Sequence, residues 1–139
     1  MDCPLCVAEH ETTIWRDGSC RVIRVDDPDY PGFCRVVWHE HVAEMTDLTA
    51  VSQRHILNVV LATETALRQL MRPDKINLAS FGNVVPHVHW HVIPRFVDDR
   101  HFPQSTWGEP QRDGARRTAP SSEALAAAIG AALTELTSG

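Results

Sequence analysis

His87-Val88-His89-Trp90-His91-Val92-Ile93-Pro94-Arg95 is the stretch on which the reading of this chain turns. Three of the eight histidines stand there within five residues, and the positions between them are apolar. In an extended strand successive side chains point to opposite faces, so His87, His89 and His91 are expected to line one surface while Val88, Trp90 and Val92 enter the core. A merely solvated strand face does not account for the apolar residues in between. A row of imidazoles on a stiff strand supports two kinds of chemistry: a nucleophile with helpers, or a set of ligands for a catalytic metal. Spacing alone leaves both open.

The segments around this strand read as an α+β domain. Upstream, Ile14-Trp15, the turn at Asp17-Gly18 and Arg21–Val25 form a hairpin pattern, and Phe33–His39 gives a third β-rich run after the Pro/Gly/Asp-rich loop 26–32. Ile56, Val59, Val60, Thr63, Leu67, Leu70 and Met71 then recur at spacings of three and four, predicting a long helix with Thr49 as N-cap and its end at Met71 or Arg72, before Pro73. Lys75–Phe81 and His87–Arg95 complete an antiparallel sheet of about five strands. Residues 95–120 show no period and read as a long loop, either a lid or a mobile segment. Residues 121–137 form a C-terminal helix, capped by Ser121 or Ser122, with Leu125, Ile129, Ala132, Leu133 and Leu136 on one face. All 139 residues fit one domain.

Thirteen basic against eighteen acidic side chains give a net charge of -5, which argues against a nucleic acid polymer as partner and requires any anionic ligand to be held locally. The longest mostly apolar uncharged run, Ala124–Leu133, falls short of the roughly 20 residues a membrane span needs. The start of the chain lacks the basic-then-apolar pattern of a secretory signal, so a cytoplasmic address is expected. In a reducing compartment the four cysteines argue for metal binding or burial over disulfides, with Cys20 and Cys34 read as small core residues.

The His-rich stretch resembles the histidine triad (HIT) family, whose pattern is His-x-His-x-His-x-x with apolar residues at x; residues 87–93 match it throughout, and Pro94-Arg95 also fits. Gly82-Asn83-Val84-Val85 is similar to the family's Gly-Gln-Ser/Thr-Val phosphate loop, and Gly32–His41 to its strand ending in a basic residue and His. The resemblance implies a HIT-like fold, a homodimer, and hydrolysis or transfer of a nucleoside monophosphate, adenosine foremost, from dinucleoside polyphosphates or phosphoramidates. Carried over by position, it makes His89 the nucleophile of a covalent nucleotidyl-histidine intermediate, with His87 and His91 completing the triad. His91 would meet the phosphate oxygens, Gly82, Asn83 and Val84 would stabilise charge through backbone N–H groups and the Asn83 amide, and Asn77 would contact the nucleotide. Two departures stand in the loop: Asn83 is one methylene shorter than the usual Gln, and Val84 brings no hydroxyl. Phe33 stands where some members place a fourth His.

Cys3-x-x-Cys6 is half of a zinc site, a redox pair or two buried thiols. Some HIT proteins hold zinc through such a pair together with a His after the third strand and the first triad His. By that resemblance Cys3, Cys6, His41 and His87 form a Cys₂His₂ shell for a structural zinc ion, which would make His87 a brace and not an acid or base. Trp15, Trp38 and Trp90 are expected in the core. His10, His39, His55 and His101 are expected to be exposed or capped. Arg112, Arg116 and Arg117 are read as a solvated loop with some capacity to meet a polyphosphate tail. Two rival functions remain: a metal-dependent hydrolase using His87, His89 and His91 as ligands, and a nucleotide-binding module without turnover.

Overall fold

A computed structural model describes residues 3–138. Its elements, in chain order, are α1 (Pro4–Val7), β1 (Thr12–Arg16), β2 (Cys20–Arg24), β3 (Cys34–Trp38), a 3-10 turn (Met45–Asp47), α2 (Ala50–Met71), β4 (Lys75–Ala79), β5 (His89–Arg95) and α3 (Ser122–Ser138). The five strands make one antiparallel sheet in the order β1-β2-β3-β5-β4, so β5 is interior and β4 lies at an edge. Among the described residues no helix is long and apolar enough to cross a membrane.

Strand periodicity sorts the two faces. Cys34, Val36 and Trp38 of β3, Cys20 and Val22 of β2, and Val92 of β5 are buried together under Ile56, Val59, Val60 and Leu67 of α2 and Leu125 and Ile129 of α3. Their alternates, Arg21, Ile23, Arg35, Val37, His89, His91 and Ile93, face the other way, with Arg35 opposite His91 and Val37 opposite His89 across β3 and β5. Both free thiols in β2 and β3 are fully buried, and burial pushes each up to about 12, so they behave as apolar core groups.

Helix boundaries follow their local signals. Thr49 caps α2 by accepting a hydrogen bond from the Ser52 N–H at 3.2 Å, and Arg72 closes it in the left-handed region, one residue before Pro73. Ser121 accepts from the Ala124 N–H at 3.1 Å and starts α3. Leu125, Ile129 and Ala132 of that helix are buried as expected, whereas Leu136, in its last turn, is 44% exposed. Gly32, at φ 89, leads into β3; a Cβ there would lie 2.4 Å from the Met71 sulfur, so the end of α2 occupies the space a side chain would need.

Residues 96–120 carry no helix or strand, yet they are tied down at many points. Arg95 and Asp99, exposed by only 2% and 3%, pair through Nε–Oδ2 at 2.8 Å and Nη2–Oδ1 at 3.1 Å. The same carboxylate accepts from the N–H groups of Phe96, His101 and Phe102 and from the Tyr30 hydroxyl. Burial alone would raise its pKa, but Arg95 and these N–H donors hold the carboxyl at about 2. His101, expected to be exposed or capped, is buried with its Nδ1 2.6 Å from the Tyr30 hydroxyl. Arg112 donates to the Asp99 carbonyl, and Arg117 pairs with Asp98 at 2.7 Å while lying 3.7 Å over the Phe96 ring. Those two arginines are thus spent on the loop itself and do not reach toward a polyphosphate.

Asp99→Asn should cost about 3–5 kcal/mol in denaturant unfolding, because it leaves the Arg95 guanidinium buried against a neutral group. The stabilisation belongs to the ionised form, so it is present above pH 4 and is lost as pH falls through about 2. A loss below about 1 kcal/mol, the range of exposed ion pairs, would show that this ion pair does not hold the loop.

Candidate functional site

The second sheet face forms the floor of a cleft of about 840 Å³. Its walls are β4, residues 81–85, Pro4 and Leu5 of α1, and Ser105 and Trp107 from the long loop, with Arg35, His89 and His91 at the base. That volume lies in the range of small-molecule and cofactor sites.

His89 and His91 stand side by side on β5, ring centroids 5.2 Å apart and nearly perpendicular. The His89 Nδ1 lies 2.6 Å from the His87 carbonyl oxygen. A carbonyl can only accept, so Nδ1 carries the proton and the Nε2 of the neutral ring carries the lone pair. Burial lowers the His89 pKa below the usual imidazole value, and the charges of Arg35 and His87 push the same way, against the hydrogen bond to the His87 carbonyl. Nε2 makes no hydrogen bond among the described residues and is not sealed from solvent. His91 is held at about 4, first by burial and then by Arg35 and His89, and is neutral at ordinary pH. Phe33, Phe81 and Trp107 surround its ring at centroid distances of 5.7, 6.2 and 5.1 Å.

The third imidazole parts from this pair. The His87 N–H donates to the Val85 carbonyl at 2.8 Å, a tight turn that ends before β5 begins, so His87 precedes the strand instead of sitting in it. Its ring is 1% exposed and its Nδ1 lies 3.4 Å from Cys3 Sγ, 3.4 Å from Cys6 Sγ and 3.2 Å from His41 Nδ1. Cys6 Sγ is 3.3 Å from His41 Nδ1. The expected four ligand residues therefore converge, all their donor atoms lying within 4.8 Å of one another. A tetrahedral zinc ion with Zn–S of about 2.3 Å and Zn–N of about 2.0–2.1 Å would set S···N and N···N edges of about 3.3–3.6 Å, and the donor spacing agrees with that to within about 0.1–0.2 Å. The His87 Nε2–H donates to the Trp38 carbonyl at 2.5 Å, which fixes the tautomer that leaves Nδ1 free to ligate. The residues fit zinc. Helix α1 explains the cysteine spacing: one turn, with the Cys6 N–H on the Cys3 carbonyl at 3.0 Å, brings the two thiols to the same side.

His89 and His91 belong to no such ligand cluster among the described residues, so the three triad rings do not gather around one point. A second group, Asp17, Cys20 and His55, is explained by a turn in which Asp17 accepts from the Ser19 and Cys20 N–H groups and pairs with His55 at 2.7 Å.

The phosphate-loop candidates rim the cleft. Gly82 takes φ 70, Val84 is 93% exposed, and the N–H groups of Asn83, Val84 and Val85 make no hydrogen bond among the described residues. They are open donors at the rim. Asn77 also lines the cleft, but its Oδ1 already accepts from Arg95 Nη1 at 2.7 Å, so only its amide N–H groups are available to a ligand.

Trp107 and Arg35 are among the lining residues that had no role in the sequence reading. Trp107 gave no signal because the loop bearing it has no period. Arg35 occupies a cleft-facing position of β3, a strand otherwise made of apolar residues, and its placement opposite His91 follows only from strand pairing.

The HIT domain model matches residues 8–98. A Mycobacterium tuberculosis protein named AP-4-A phosphorylase is 27% identical over 81 residues, covering 54% of this chain and 42% of that one, so this chain matches less than half the length of that relative. Among solved structures, a histidine triad protein from Bradyrhizobium japonicum superposes with a TM-score of 0.67 at 26% identity over 93% of this chain and 92% of that one. A histidine triad protein from Marinobacter aquaeolei gives 0.70 at 24% over 94% and 93%, and a Zn-bound histidine triad family protein from Mycobacterium smegmatis gives 0.60 at 23% over 98% and 94%; these two speak to the fold. With the model matching well over half of the chain, the five-stranded antiparallel sheet and the paired imidazoles in its cleft belong to a member of the HIT domain family.

Proposed function

We propose that this protein hydrolyses or transfers a nucleoside monophosphate through a covalent nucleotidyl intermediate on His89. The observation that carries the reading is the fixed tautomer: Nδ1–H is committed to the His87 carbonyl while the Nε2 lone pair is open at the cleft floor. In the first step Nε2 bonds to the α-phosphorus, and the bond from phosphorus to the leaving group breaks. The electron pair goes to the leaving oxygen or nitrogen, which takes a proton. In the second step water, or another oxygen acceptor such as orthophosphate, bonds to phosphorus. The N–P bond returns its pair to Nε2, and the acceptor's proton is released. His91 and the open N–H groups of residues 83–85 are placed to meet oxygens that gain charge in both steps. The cleft volume suits one nucleotide, and the name of the mycobacterial relative supports diadenosine polyphosphates as substrates.

The His-ligated metalloenzyme is the weaker reading, because His87 turns to the cysteines while His89 and His91 do not join it. His89→Ala or His89→Asn should lower turnover roughly 10⁴-fold with the thermal midpoint kept, and mass analysis of the wild type after a quench should find a nucleotide adduct on the His89 peptide. Full activity in either variant removes the nucleophile. Tight nucleotide binding with neither adduct nor product over hours would leave a binding module.

Cys3, Cys6, His41 and His87 are proposed to hold a structural zinc ion, a closed shell that would pin the amino-terminal turn to the entry of β5 and supply no acid–base chemistry. Purified protein should contain about one zinc per chain, and Cys3→Ser/Cys6→Ser should lose it and unfold at lower temperature. Metal retained in that double variant refutes the shell. The edge position of β4, with one side of its backbone unpaired in the sheet, is consistent with the homodimer implied by the family resemblance.

A further inference from the structure

We infer that Arg35 is the cation that grips the phosphoryl group of the substrate beside His89. This rests on the nucleotide reading and deepens it by naming a residue outside the triad and the phosphate loop. Arg35 sits on β3 at the register position facing His91 and lines the cleft together with His89 and His91. Its side chain is partly buried, its Nε is sealed from solvent without a hydrogen-bond partner, and its Nη groups make no hydrogen bond among the described residues. The flanking positions offer nothing to neutralise it: Ile23 lies across on β2, and His91, across on β5, is neutral. The acidic group whose field reaches Arg35 is Glu11, and that carboxylate is committed to Arg21 through two hydrogen bonds at 2.8 and 2.9 Å.

Three other arginines of the sheet are answered. Arg21 has Glu11, Arg95 has Asp99, and Arg24 donates to the Pro120 carbonyl and the Ser122 hydroxyl. A cation taken partly out of water without a counter-charge weakens the fold, so keeping one at the floor of a cleft makes sense if an anion completes it. A guanidinium suits a tetrahedral phosphoryl group, since its planar fork can bond two oxygens at once. Its fixed charge lies at the floor of the cleft, where Lys75 on the β4 wall is the other lining cation in a molecule of net charge -5. Arg35 thus acts on the oxygens of the group being transferred, while the rim N–H groups receive the remaining charge.

Arg35→Met keeps the length and removes the charge; Arg35→Lys keeps the charge and removes the fork. For Arg35→Met we expect a thermal midpoint equal to or above wild type, a kcat/KM about 10²–10³-fold lower, and binding of the nucleoside 5′-monophosphates weakened at least about tenfold with the nucleosides unchanged. Arg35→Lys should recover part of the loss. A merely structural arginine gives the opposite pattern: a lower midpoint, with nucleotide and nucleoside binding reduced together, and that result overturns the inference. Wild-type monophosphate affinity in Arg35→Met overturns it as well. The mechanism is tested separately: Arg35-dependent binding without any His89 adduct sinks the covalent reading and keeps this one.

Discussion

Strand β5 must satisfy two environments at once, and the rest of the molecule is arranged around that constraint. One set of alternate side chains, with Val92 at its centre, is sealed against α2, while His89 and His91 face the cleft. Because the side-chain period is two, a one-residue slip would press imidazoles under the helix and expose the valine. Pairing to β3 on one side and β4 on the other fixes the register at both edges. At the far end of the strand Arg95 is drawn into the Asp99 network, so the loop carrying Trp107 is anchored by the same segment that carries the imidazoles.

The electrostatics of the cleft come from fixed groups. Both imidazoles are held neutral by burial, so the site does not attract an anion by protonated histidine. What it offers is the Arg35 guanidinium and the Lys75 ammonium, unpaired backbone N–H groups at the rim and an apolar wall of Phe81 and Trp107 packed edge to face at 5.1 Å. A neutral imidazole beside fixed donors is the arrangement the proposed reaction calls for, since its lone pair is not lost to a proton before it meets an electrophile.

How much of this could be read in the sequence depends on how local the determining physics is. The spacing of Ile56 through Met71 fixes α2 because one helical face is buried continuously, and Thr49 and Pro73 mark its ends through short-range geometry. The shared face of His89 and His91 was legible from the two-residue strand period and the Cys3/Cys6/His41/His87 set through motif resemblance, and the structure brings those four together. Helix α1 is a single turn, too short to generate a period. The order of residues 96–120 was invisible, since Asp99 acts through partners as distant as Tyr30 and Arg95, and nothing in the local composition marks it. The burial of His101 beside Tyr30 was invisible for the same reason. Arg35 escaped because a lone arginine among strand valines carries no signal until register places it opposite His91.

The separation of His87 from the other two rings links brace and proposed nucleophile in one short backbone path. His87 turns its Nδ1 toward the thiols and His41, its Nε2–H anchors on the Trp38 carbonyl, and its own carbonyl orients His89. A shift of the His87 backbone would move both the ring that faces the thiols and the carbonyl that sets the direction of the His89 lone pair. A cluster some residues upstream of the reacting atom can therefore govern geometry at that atom without touching substrate. The same logic explains why the strand begins only at His89: an extended residue at 87 would carry the run straight on, whereas the turn closed on the Val85 carbonyl brings the ring to Cys3 and Cys6 and the carbonyl to His89.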